Sequence, residues 1–180
     1  MVERNKSTDQ KVSPCSGRSY ELLTSYFNDL LFRLEELLLH EMSWTAAKKV
    51  DFVGIDLIRS VDISGDTIKS VIEACVRELT SLGIVEEMEY SLHGFGILLK
   101  LNIGGCVHIS KEARLKGHGI RPYICPVANI IGDQILKKLG YLAFNVADIA
   151  IDTDGRTCVV KCAVYKNVDK IGRISDWKRI

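Results

Sequence analysis

Five side chains able to hold a soft metal stand in the C-terminal part of the sequence: Cys106 and His108, then Cys125, then Cys158 and Cys162. The alternation in Cys106-Val107-His108 predicts a strand, with both ligands leaving one face. Cys125 stands directly before Pro126 and an amphipathic run, the position of a helix N-cap. Cys158 and Cys162 fall on one face of a further strand. Thiolates and an imidazole converging from a strand, a helix start and a hairpin make a buried, closed zinc site, which stabilises a fold rather than catalysing a reaction. At roughly 3.3 Å per residue, Cys158 and Cys162 are about 13 Å apart and compete for one coordination place. His118 lies between two glycines and is the weaker substitute for His108. The alternative to a metal is a set of separately buried residues that never meet.

Other chemistry has less support. A helix N-terminus should lower the pKa of Cys125, which suits a zinc ligand and equally a nucleophile. There is no Cys-x-x-Cys pair, no nucleophile elbow and no phosphate-binding glycine loop; Gly104-Gly105 and Gly117-His118-Gly119 fit no nucleotide pattern. A thiol-dependent enzyme is therefore the minor reading. Glu86, Glu87 and Glu89 read as a partly solvated strand face.

Across the whole chain, 180 residues with 47% apolar and 26% charged side chains suit one domain with a real core. A net charge of +1 argues against a nucleic-acid or anionic-membrane partner. No apolar stretch reaches transmembrane length, and the polar N-terminus lacks a signal core, so a cytoplasmic protein is expected. In that compartment the six cysteines read as reduced thiols rather than disulfides.

The elements that must position these groups follow from periodicity. Residues 1–18 read as a disordered tail that includes Cys15, and 19–180 as one domain: a helical part, 19–83, and a sheet and ligand part, 84–166. A helix from Tyr20 to Leu38 carries Leu22, Leu23, Tyr26, Phe27, Leu30, Leu31, Leu34, Leu37 and Leu38. Such a wide stripe is either deeply buried or shared with a second subunit, and a homodimer is expected. A second helix should start at Ser43 and run to Ile58, with Gly54 marking a bend or a close backbone approach. A third should follow Ser64-Gly65-Asp66, with Cys75 in its core face. Strands are predicted at Ile84–Ser91 and Gly96–Ile103, the second resuming at Cys106–Ile109. Residues Lys111–Ile124 read as a long basic loop, with a mobile flap over a pocket as the functional alternative; a helix starts at Cys125-Pro126 and stops at Gly140. Strands at Tyr141–Asp152 and Arg156–Tyr165 close the domain, and Trp177 is expected to dock on it. The fold class is α+β, with N-terminal helices packed on an antiparallel sheet and a further helix between strands.

From about Gly96 to Tyr165 the chain resembles the 4-vinyl-reductase domain family, a group of predicted hydrocarbon-binding modules. The resemblance rests on Cys125-Pro126-Val127-Ala128-Asn129-Ile130-Ile131-Gly132, on Leu139-Gly140, and on Gly155-Arg156-Thr157-Cys158 in the closing hairpin. It implies an α+β architecture shared with a eukaryotic vesicle-tethering subunit that holds an acyl chain in its core. Zinc-binding relatives use cysteines at the helix start and on the closing hairpin, which implies Cys125 and Cys158 as ligands here and leaves Cys162 to the core. They also use an acidic residue and a cysteine before the hairpin turn; this chain has Asp148 near the acidic place but Ile149, Ala150 and Ile151 where that cysteine would be. Cys106 and His108 would then complete a different set. The resemblance also implies a hydrophobic small molecule or acyl chain bound between the Cys125 helix and the sheet, lined by Phe95, Leu99, Leu101, Val127, Ile131 and Phe144. The other readings are a homodimeric interaction module with no ligand, and an enzyme.

Overall fold

The computed structural model describes residues 17–41, 53–58, 63–93, 97–152 and 156–166. Its elements are α1 (Gly17–Glu41), a short 3-10 helix (Ile55–Ile58), α2 (Ile68–Ser81), β1 (Glu87–His93), β2 (Ile97–Gly104), α3 (Ile109–Gly117), α4 (Pro126–Leu139), β3 (Ala143–Ile151) and β4 (Thr157–Tyr165). The α+β class is as the sequence reads. The described strands form one antiparallel sheet of order β1-β2-β4-β3.

Period-two alternation builds the sheet's inner face. Leu99, Leu101 and Ile103 of β2 lie opposite Cys162, Val160 and Cys158 of β4, and all six are buried. Helix α4 covers this face, and α2 packs on α4. The inner faces of α4 and the sheet touch where Phe144 of β3 meets Gly132: a Cβ there would lie 2.4 Å from the ring. Leu99, Leu101, Val127, Ile131 and Phe144 thus meet in the main core; Phe95 lies outside the described residues. Cys75 is core, as read.

Local signals account for the helix ends. Thr67 and Ser70 form a reciprocal capping box at α2. Cys125 is extended at the N-cap of α4, its Sγ accepting from the Ala128 N–H, and Gly140 closes that helix at φ 65°. Gly54, at φ 92°, lies against Pro126, where a Cβ would come within 2.8 Å of the ring, so close approach is the reason for that glycine. The expected Ser43 helix does not run through to Ile58, since Val53 and Gly54 form a turn and Ile55–Ile58 is a 3-10 helix; its earlier residues, Cys15 and Trp177 lie outside the described residues.

Three expectations need correction. Cys106–Ile109 does not resume the strand: β2 ends at Gly104, Gly105 turns at φ 58°, and His108 becomes the N-cap residue of α3. Lys111–Ile124 is not one open loop, since α3 extends to Gly117. The first strand starts later, at Glu87, because Ile84 N–H closes the end of α2 on the Leu79 carbonyl.

Helix α1 departs furthest from its pattern. Its buried side is Asn28, Phe32 and Glu35, while Tyr26, Phe27, Leu30, Leu34 and Leu37 are exposed, with Leu22 65% exposed. It packs on α3, where Phe32 meets Leu115 and Ile120 under the Arg114 guanidinium.

Candidate functional site

Hydrogen bonds and strand pairing link the segments that carry three of the expected ligands. Gly105 N–H donates to the Arg156 carbonyl at 3.2 Å, and Ile103 pairs with Cys158, so the Cys106 turn lies beside the start of β4. Lys111 Nζ donates to the Ile124 carbonyl at 2.8 Å, which ties α3 to the residue before Cys125. Cys106, Cys125 and Cys158 are all buried in the main core.

The three thiols feel one another. Burial pushes Cys125 well above its ordinary value, and Cys106, Glu112 and Cys158 raise it further. Burial pushes Cys106 up to about 11 against the His108 N–H that its sulfur accepts, and Cys158 up to about 12 with Cys106 and Glu112 adding to the rise. The helix N-terminus therefore does not lower the Cys125 pKa: desolvation outweighs it. All three are neutral thiols near pH 7. Among the described residues, no three His, Cys, Asp or Glu side chains stand close enough as placed to coordinate one ion.

His108 points its chemistry elsewhere. Its Nδ1 bonds Asn28 Oδ1 at 3.0 Å, while Asn28 Nδ2 donates to the Val107 carbonyl and to Ser110 Oγ. Because the amide nitrogen is spent on two acceptors, the network assigns the proton to Nδ1. Burial and Lys111 push its pKa down to about 4, so the ring is neutral. His118 is also away from the thiols, edge-on to Phe32 and 3.6 Å from Glu36. Cys162 is core, opposite Leu99 and Val146.

A buried charge cluster adjoins the thiols. Lys111 Nζ contacts Glu35 Oε1, Glu112 Oε1 at 2.8 Å and the Ile124 carbonyl. Glu35 Oε2 accepts from the Tyr123 N–H, and the Tyr123 hydroxyl donates to the Glu35 carbonyl. Glu112 is 3% exposed, and its Oε2 is buried with no hydrogen-bond partner. Burial raises the Glu112 carboxyl to about 7 despite Lys111. The sequence reading missed Asn28, Glu35, Lys111 and Glu112. The available signal was that Asn28, Phe32 and Glu35 share one helix face while the leucines share another.

Beside this cluster runs an open groove of about 390 Å³ between Lys116–Pro122 and Ile149–Ile151. Ile120, Pro122, Ile149 and Ile151 give it an apolar floor, and Lys116 and Arg121 stand at its edge, Arg121 paired with Asp148 at 2.7 Å. Its far wall adjoins the thiols, since Ile151 pairs with Cys158. No helix among the described residues is long and apolar enough to cross a membrane. The sequence matches no protein-family model and no curated protein.

Proposed function

We propose that the chain is a binding module of 4-vinyl-reductase type, in which a zinc ion held by Cys106, Cys125 and Cys158 pins α4 and the turn before α3 to the closing hairpin. The supporting observation is three buried, mutually interacting thiols delivered by three separate elements. Zinc would replace their protons and take the three cysteines as thiolate ligands. The ion would act as a structural cross-link and Lewis acid of fixed charge; the sequence and geometry supply no reaction for it. Purification without chelator should give one zinc per chain by native mass spectrometry, and stripping it should lower the melting temperature. A wild-type chain that neither carries nor takes up zinc overturns this reading.

The groove of about 390 Å³ supports the ligand half of the proposal, a small amphipathic acid with its chain on Ile120 and Ile149 and its anionic head toward Lys116. Ala150 is exposed on the groove wall, so Ala150→Trp fills it without entering the core. That variant should lose binding of a fluorescent fatty acid while its circular dichroism is unchanged; equal binding by both proteins removes the groove as the site.

The exposed apolar face of α1 favours a second copy of the chain as its cover. Phe27→Glu with Leu30→Glu should reduce the mass seen in light scattering, and a wild-type monomer at high concentration refutes the dimer.

A further inference from the structure

Resting on the reading of the exposed α1 face as a site of self-association, we propose that two copies of the chain join through an antiparallel pair of α1 helices, zipped along Tyr20, Leu23, Phe27, Leu30, Leu34 and Leu37. These six side chains are all exposed, and their spacing runs three, four, three, four, three. That is the seam of a heptad repeat, narrower and more regular than the apolar face by which a helix packs on its own domain. At about 100° per residue, the seam lies roughly 140° around the helix from Asn28, Phe32 and Glu35, the buried side that holds α1 on α3. Docking on the domain and pairing with a second copy thus use different sides of one helix. From Ser19 to Phe27 no residue of α1 is buried, so its own domain leaves the first half of the seam uncovered.

The seam is its own complement when the second helix runs the other way. With a two-fold axis at the level of Asn28 and Asp29, Tyr20 of one copy meets Leu37 of the other, Leu23 meets Leu34, and Phe27 meets Leu30, each layer occurring twice. No seam position is left over, and each aromatic ring faces a leucine rather than its own copy. Charge fixes the direction. The seam position that follows Leu34 is Glu41, exposed at the last residue of α1. A parallel pair would set two Glu41 carboxylates against each other at that level. The antiparallel pair carries each one to the N-terminal end of the other helix, the positive end of its dipole, where the first turn holds no acidic residue. Beside the seam, the exposed Arg33 of one copy comes level with the exposed Tyr26 of the other, a cation next to an aromatic face.

The test uses the full chain carrying Cys15→Ser, in which the remaining native thiols are all buried. Tyr20→Cys and Leu37→Cys are introduced into separate preparations, which are oxidised alone and after mixing. The mixture should cross-link, and neither preparation alone should, because an antiparallel pair holds like positions about 26 Å apart. Glu41→Gln leaves the apolar seam whole and should weaken association about two- to fivefold in sedimentation, whereas a parallel pair would tighten. Cross-linking of either cysteine variant with itself, no cross-link in any combination of a chain that still dimerises, or tighter association of Glu41→Gln overturns the antiparallel seam while leaving the dimer reading intact. A wild-type chain that stays a monomer at high concentration overturns both.

Discussion

Replacing Glu112 by glutamine in the metal-free protein should stabilise it, and by an amount that depends on pH in a defined way. Glutamine keeps the size and one acceptor for Lys111 but cannot ionise. In the wild type the Glu112 carboxyl is raised from 4.5 to about 7, chiefly by burial. A carboxyl with a raised folded pKa retains a proton that the unfolded chain has lost. Between pH 4.5 and 7 the folded wild type thus binds more protons than the unfolded chain, and its stability falls as pH rises. The shift of about 2.5 units corresponds to about 3 kcal/mol, at 1.36 kcal/mol per unit. The variant-minus-wild-type difference should therefore be near its minimum below pH 4.5, climb by about 3 kcal/mol, and level off above pH 7. Glu35, buried on the same lysine, is present in both proteins and largely cancels. Urea denaturation followed by far-ultraviolet circular dichroism at intervals from pH 4 to 8, with chelator present, measures the curve. A difference that stays flat within about 1 kcal/mol, or falls with pH, would refute the reasoning, because Oε2 would then have a partner that supports its charge.

His108 should give the mirror image: its pKa is lowered to about 4 by burial and Lys111, so stability present above pH 6.5 is lost as pH falls toward 4. His108→Gln should gain about 3 kcal/mol on the wild type over that window in the same assay. Lys111→Met leaves Glu35 and Glu112 buried without their cation, so a loss of about 3–5 kcal/mol at pH 8 is expected, smaller at pH 5 where protonation of the carboxyls relieves it. Gly132→Ala puts a methyl 2.4 Å from the Phe144 ring and should lower stability by about 1–3 kcal/mol; Gly132→Ala combined with Phe144→Leu should recover part of that by thermal melting.

What the sequence made legible was whatever depends on neighbours along the chain. The α2 and α4 helices, the Cys125 N-cap, the Gly140 stop and the β3–β4 hairpin all announce themselves through periodicity and turn residues. The place of Cys125 at a helix start and of Cys158 on the closing strand was legible through the same elements, whereas Cys106 stands on a turn beyond the end of β2. His108 was misplaced because a three-residue alternation fits a strand and a turn equally well, and Gly105 decided for the turn. Glu112 stayed hidden for a different reason. Ile109–Gly117 has too few apolar residues to look like a helix with a buried face, because that face is filled by Lys111 and Glu112 as well as Leu115. Burial of a charged pair is set by what packs over it, here α1 from about 80 residues earlier, and no local pattern carries that information.

The same long-range pairing explains the odd polarity of α1. Asn28 and Glu35 are seven residues apart, two turns and about 10 Å along one helix face. Asn28 is satisfied by the turn at Val107, His108 and Ser110, and Glu35 by Lys111 and Tyr123. Phe32 sits between them against Leu115. The helix is thus docked by two polar anchors that accept only one register, since a one-residue slip would bury Asp29 and Glu36 without partners. Docking in this way leaves the leucine-rich side uncommitted. Sequences seldom expose Leu22, Leu23, Tyr26, Phe27, Leu30, Leu34 and Leu37 together along one helix with nothing to cover them. The polar anchors and the exposed leucines are therefore two halves of one arrangement: the first fixes α1 to its own domain, and the second stays exposed. Loss of either anchor should loosen α1 and the Cys106 turn together, so that Asn28→Leu would weaken both zinc affinity and self-association, whereas a charge introduced by Leu30→Glu would weaken self-association alone.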